Sequence, residues 1–191
     1  MNETVASRPL PKRPEYGLLA WQATMGYLHT QYKLDAVLTV HVYALDAGVG
    51  WSAEADWGRN HEAVVDCPSL PHALRDLWKQ VASQHVIFET KEALIKRPAN
   101  YSENEWLDSV TQEVLEHLVR TTAEIFPADW RITLVYRPVE SPDMRWRVQL
   151  KADQLQLTEQ QVTLRDACRS LYRHAAPEFA ARTGSHSDDL G

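Results

Sequence analysis

The chain has 191 residues, of which 44% are hydrophobic, and it contains seven tryptophans. This composition is sufficient for a packed core and differs from that of a disordered chain. The formal net charge of −6 argues against a protein whose whole surface coats nucleic acid or anionic membrane, while a local basic patch stays compatible with it. No apolar run has the length needed to span a bilayer.

The two ends of the chain differ in composition from the rest. Residues 1–14 are polar and rich in proline, which predicts a flexible arm without the apolar region of a secretory signal. Residues 182–191 hold almost nothing apolar, which predicts a flexible tail. Cys67 and Cys168 lack a metal-type spacing, so we expect reduced thiols in a cytoplasmic protein that does not contact membranes.

Residues 15–83 show the periodicities of a first α-β-β-β-α unit. Two segments alternate between apolar and polar residues around a turn at 46–48, which is typical of a hairpin with one buried face. Apolar residues then recur at helical spacing from Leu70 to Val81. The predicted helix, three strands and second helix cover about 16–32, 37–44, 49–57, 62–67 and 70–81.

Residues 84–101 are interpreted as a connector, and residues 102–181 as a second unit with the same order of elements. Ser102 and Glu105 fit a capping box at the start of a helix that stops at Pro127. Pro177 is expected to end the last helix. The predicted helix, three strands and second helix cover about 102–126, 130–136, 144–152, 155–157 and 163–176.

The segment from Ser69 to Trp78 aligns without a gap on the segment from Thr163 to Tyr172, 94 residues further on. Such self-similarity indicates an internal repeat. The expected fold class is therefore α+β, with two pseudo-repeated two-layer units. Each would bury one face of a three-stranded antiparallel sheet under its helices.

The α-β-β-β-α order resembles the double-stranded-RNA-binding domain. The run from Gly50 to Ala55, followed by a short strand and the run from Ser69 to Leu74, is similar to the hairpin, strand and helix of HicB-type antitoxin domains. These resemblances imply a shared fold for each half. Where RNA-binding domains carry a lysine cluster at the start of the last helix, this chain has Pro71-His72-Ala73 and Arg165-Asp166-Ala167.

The outward faces of the two predicted hairpins carry opposite charges. Because strand side chains alternate with a period of two, each set is expected to lie on one surface. The outward set of the second hairpin is basic and consists of Arg131, Arg137, Arg145, Arg147 and Lys151. The outward set of the first hairpin consists of His41, Glu54 and Asp56.

These two faces predict a non-enzymatic protein–protein interaction or assembly module. The acidic face would complement the basic face, and the partner would be another protein or a second copy of the chain. One alternative is RNA or DNA bound by the basic residues, through their phosphate-binding guanidinium groups. Another is a small enzyme using His41, Glu54 and Asp56 for acid–base chemistry or metal binding. No catalytic residue, metal or cofactor is assigned, since no established catalytic or phosphate-binding motif occurs.

Overall fold

The computed structural model describes residues 18–81, 109–138 and 145–184. The elements in chain order are α1 (Leu18–Tyr32), β1 (Ala36–Leu45), β2 (Gly48–Trp57), β3 (Asn60–Cys67), α2 (Leu70–Val81), α3 (Ser109–Ile125), β4 (Trp130–Tyr136), β5 (Trp146–Ala152), β6 (Leu155–Gln161) and α4 (Leu164–Gly184). The α+β class predicted from the sequence is confirmed. Among the described helices, none is both long and apolar enough to cross a membrane.

The six strands form one antiparallel sheet with the order β3-β2-β1-β4-β5-β6. The expectation of two separate three-stranded sheets differs from this result. Strands β1 and β4 pair with each other, from Leu38 opposite Tyr136 to Tyr43 opposite Arg131. An unpaired β1 and β4 would each have left a row of free N–H and C=O groups, and their pairing satisfies both rows.

The hydrophobic core lies on one side of this sheet, under all four described helices. Strand residues in the core cluster, such as Val40, Ala55 and Leu134, all come from the same face of their strands. Trp21 of α1 is fully buried, and its indole N–H donates to the Leu74 carbonyl of α2 at 3.2 Å. Trp78 packs edge-on against the same indole. The described part of the chain thus has two layers, helices and sheet.

The helices that follow β3 and β6 are built alike. In α2 the buried residues are the six that the sequence pattern predicts: Leu70, Ala73, Leu74, Leu77, Trp78 and Val81. The Ser69 hydroxyl accepts the His72 amide hydrogen, and the Thr163 hydroxyl accepts that of Asp166, so both helices begin at a hydroxyl cap. In α1 the predicted stripe is buried except at its end, where Tyr32 is 41% exposed.

Helix α4 continues past Pro177 and ends at Gly184, so the expectation that Pro177 terminates it is wrong. Contacts beyond the proline offset the hydrogen bond that proline cannot donate. Phe179 is buried against Phe126 and Tyr172. Arg182 pairs with Glu178 in the helix and with Asp153 in the β5–β6 turn, which places the start of the predicted tail in ordered helix.

Three predictions concern parts of the chain outside the described residues. They are the arm at 1–14, the connector at 84–101 and the capping box at Ser102 and Glu105. Residues 185–191 of the predicted tail also lie outside. These stay predictions.

Candidate interaction surface

The structure places both predicted charge sets on the same face of the one sheet. We use the name open face for the side of the sheet that carries Thr39, His41 and Thr133. In residues 18–81, 109–138 and 145–184 no helix packs on it. Val37 and Val135 are buried on this face but do not belong to the core cluster under the helices. The two halves therefore lie side by side, and do not stack face to face within the chain.

His41 and Glu54 come from neighbouring strands β1 and β2. The His41 Nε2 atom lies 3.4 Å from Glu54 Oε1, and its Nδ1 lies 3.0 Å from the Thr133 hydroxyl oxygen on β4. Strand pairing explains both contacts, since His41 is opposite Thr133 and diagonal to Glu54. The imidazole is thereby held across three strands at the centre of the open face.

Asp56 pairs with His61 of β3, which lies directly opposite it in the β2–β3 hairpin. The distance from His61 Nδ1 to Asp56 Oδ1 is 2.7 Å. One donor atom each of Glu54, Asp56 and His61 lie within 4.8 Å of one another. Two carboxylates and an imidazole suit a divalent transition metal. Among the described residues, the trio with metal-type spacing therefore contains His61 and not the predicted His41.

The two histidines have pKa values shifted in opposite directions. Burial lowers the pKa of His41, assisted by the nearby Arg131 charge and opposed by Glu54. The hydrogen bond to Asp56 raises the pKa of His61, which stands near three carboxylates and is exposed. Near neutral pH the acidic half of the open face therefore has a neutral imidazole at its centre and a more readily protonated one at its edge.

The basic half of the open face lies on β4 and β5 and the residues that follow and precede them. All five predicted residues are exposed: Arg131, Arg137, Arg145, Arg147 and Lys151. Within the described part of the chain none of them forms an ion pair with a carboxylate. Arg131 lies over the Tyr43 ring, 5.9 Å from its centroid. The guanidinium groups are thus available to an external anion or acidic surface.

The strand registers place acidic and basic residues in the same rows across the sheet. Glu54 is opposite Thr39, Thr39 is opposite Val135, and Val135 is opposite Arg147. Three strand spacings separate Glu54 from Arg147, about 14 Å, so these two charges form no ion pair within one chain. In the next row, Asp56 is opposite Val37, and the Arg137 amide donates to the Arg145 carbonyl.

Two grooves in the described residues lie on the helix side and contain none of the predicted site residues. One is lined by Val49 and Trp51 of β2 and by residues of α3. The other lies between α3 and α4, around His117 and Tyr172. His41 lines neither groove, so the predicted acid–base set lies on the open sheet face and outside both grooves.

Sequence reasoning missed two partners within this site. His61 was not assigned, although its opposition to Asp56 follows once the turn at 58–59 fixes the hairpin register. Thr133 was also missed, because its contact with His41 requires β1 and β4 to be neighbours. No local pattern specifies that pairing, since the two strands are far apart in the chain.

Comparisons with known proteins leave the site to be interpreted from its own geometry. No protein-family model matches the chain, and a search of curated proteins found no match.

Proposed function

We propose that this protein is a non-enzymatic protein–protein interaction or assembly module that binds its partner through the open face. The main observation behind this proposal is the division of one sheet face into an acidic and a basic half. The helices cover the other face, so the open face is the side of the sheet on which no described helix packs. Charge complementarity at such a face selects partners and fixes their register.

The distribution of exposed charge supports the same conclusion. The carboxylates of the acidic half have partners within the chain, His41 and His61, while the guanidinium groups of the basic half have no described anionic partner. A partner with an acidic surface would neutralise them.

A matched pair of charge reversals tests the proposal. Arg145→Glu with Arg147→Glu changes the open face, and Arg169→Glu with Arg173→Glu makes the same charge change on exposed positions of α4. Each tagged full-length variant is purified from the native cells, and bound proteins are identified by mass spectrometry. We expect the α4 variant to retain a protein partner, either another protein or further copies of the chain, that the open-face variant loses. Retention by the open-face variant, or recovery of no partner, contradicts the proposal.

Nucleic-acid binding by the basic half is the second candidate function, favoured by the five exposed basic side chains. It predicts that affinity for a labelled RNA or DNA falls steeply with salt. Replacing Arg145 and Arg147 by glutamate would then reduce the salt slope by about two, since each residue would contact one phosphate. A fluorescence anisotropy titration that gives no binding by the wild type eliminates this candidate.

An enzymatic function at His41, Glu54 and Asp56 is the third candidate. The 3.4 Å contact between His41 and Glu54 favours it, since a carboxylate beside an imidazole is the arrangement of an oriented base. The position of the set on a sheet face weighs against it, because catalytic groups act in concave sites that exclude water.

We also propose a cytoplasmic location, in keeping with two free and buried cysteines.

We further propose that the two halves are an internal repeat, and the strand registers support this. Ala36 pairs with Trp57 in the first half, and Trp130 pairs with Ala152 in the second. Ala36 and Trp130 are 94 residues apart in the chain, and Trp57 and Ala152 are 95 residues apart. One additional residue between β4 and β5 would account for the difference.

The offset between matching residues of the two halves then returns from 95 to 94 residues, because of an irregularity in β3. The register between β2 and β3 shifts between Trp51 and Ala53, and Asp66 has a positive φ of 54°. One bulged residue here restores the spacing of 94 residues between Ser69 and Thr163, the caps of α2 and α4. In this proposal, each half retains the α-β-β-β-α order that resembles HicB-like and double-stranded-RNA-binding domains.

A further inference from the structure

We propose that the partner of the open face is a second copy of this chain, placed by a two-fold axis parallel to the strands and above the boundary of β1 and β4. This inference rests on the proposed function, because it identifies the partner of the same surface. It names a particular geometry, which the strand order and the registers select.

The strand order determines which charges meet. In the order β3-β2-β1-β4-β5-β6, the β1–β4 boundary is the midpoint of the sheet. A two-fold axis parallel to the strands exchanges left and right, so β2 of one copy covers β5 of the other. The acidic half then meets the basic half twice, once on each side of the axis. An axis perpendicular to the strands would instead place β2 on β2 and set like charges against each other.

The registers add residue-level complementarity to this arrangement. Rotation about a strand-parallel axis leaves each cross-sheet row in place. Since Glu54 and Arg147 lie in one row, Glu54 of one copy faces Arg147 of the other. In the next row Asp56 faces Arg145, if the pairing of β1 with β4 is continued by one residue. Pairs that are about 14 Å apart within a chain thus come together between chains.

The size of the open face fits such a dimer. Six strands about 4.8 Å apart and seven residues long make a face of about 700 Å², so two copies would bury about 1,400 Å². Specific interfaces typically bury about 1,200 to 2,000 Å² in total. Aligned packing of two sheets about 10 Å apart is a common arrangement and leaves room for the charged side chains.

Paired charge reversals test the association. One variant carries Glu54→Lys and Asp56→Lys, and the other carries Arg145→Glu and Arg147→Glu. We expect wild-type protein to dimerise in low salt by analytical ultracentrifugation, and each variant alone to dimerise at least tenfold more weakly, on the order expected for opposed like charges. An equimolar mixture of the variants should recover a heterodimer, since both of its contacts again join opposite charges. Circular dichroism of each variant serves as the control for folding.

Cross-linking tests the axis. Ala63 of β3 and Gln160 of β6 lie in the row of Glu54 and Arg147, at the two edges of the sheet. The proposed axis predicts that a thiol cross-linker of about 10 Å joins Ala63→Cys to Gln160→Cys in a mixture, and not Ala63→Cys to itself. The native cysteines are buried, and burial raises the pKa of the Cys168 thiol to about 12, so they compete little. A cysteine-free background controls for them.

The outcomes separate this inference from the proposed function. A monomeric wild type at all concentrations and salt levels overturns the second-copy inference. If a different protein is then lost with the Arg145 and Arg147 reversals, the proposed function still holds. Self-linking of Ala63→Cys in the cysteine-free background overturns the proposed axis. A dimer that neither pair of reversals weakens overturns both the inference and the role of the open face in it.

Discussion

Single residues on the open face have properties that follow from their neighbours across the strands. His41 is half-buried, contacts Thr133 and Glu54, and stands near the Arg131 charge. His61 is exposed, and its hydrogen bond to Asp56 is the main cause of its raised pKa. The same residue type thus has opposite pKa shifts at two positions of one sheet face. Desolvation dominates at the first position, and a hydrogen bond to a carboxylate dominates at the second.

We predict that His41 titrates below, and His61 above, the usual value of 6.5. Neutral His41 is favoured in the folded state, so its contribution to stability is lost as the pH falls below 6.5. Protonated His61 is favoured, so its contribution is present at low pH and lost as the pH rises through its folded pKa. An NMR titration of the imidazole protons measures both values. Asp56→Asn should return the pKa of His61 towards 6.5 and leave the pKa of His41 low. If both histidines of the wild type titrate with the same midpoint, the predicted opposite pKa shifts are wrong.

At the scale of elements, periodicity predicted most of the described helices and strands. The alternation in β1 and β2 and the helical stripe of α2 are strong local signals, because each buries one face. The end of α4 was missed, since Phe179 and Arg182 hold the helix through contacts with distant residues. The joining of β1 to β4 was missed for the same reason. A strand's pattern shows which face is buried but not which strand lies beside it.

The pairing of β1 with β4 predicts that both halves unfold as one unit. Leu134 is fully buried and lies opposite Val40 of β1 and Val148 of β5. We expect Leu134→Ala to lower the free energy of unfolding by about 2 to 5 kcal/mol, the range for a buried leucine. Urea denaturation measures this loss, and hydrogen exchange shows where protection is lost.

The location of the lost protection is the discriminating result. A shared core predicts faster exchange in β2 as well as in β5, because opening β4 exposes β1. Leu155→Ala, at a partly buried position of the edge strand β6, serves as the control and should have a smaller effect. Loss of protection confined to residues after 109 would indicate two independently folding halves.

For the whole molecule, the sequence predicted the two charge sets but not their relation. Alternation alone assigned Glu54 and Arg147 to outward faces, and this required only local geometry. Their placement on one continuous face, in one cross-sheet row, depends on the β1–β4 register. That register puts the acidic and basic sets on one surface, which would complement the same surface of a second copy.

Association of two copies through the open face is tested most directly by an NMR concentration series on methyl-labelled full-length protein. Dimerisation through the open face predicts that the methyl signals of Val37 and Val135, which lie on this face, shift as the protein is concentrated in low salt. The signals of Val119 and Ala123, on the α3 side, should stay constant and serve as internal controls. Shifts confined to Val119 and Ala123, or spectra that do not change with concentration, would contradict dimerisation through the open face.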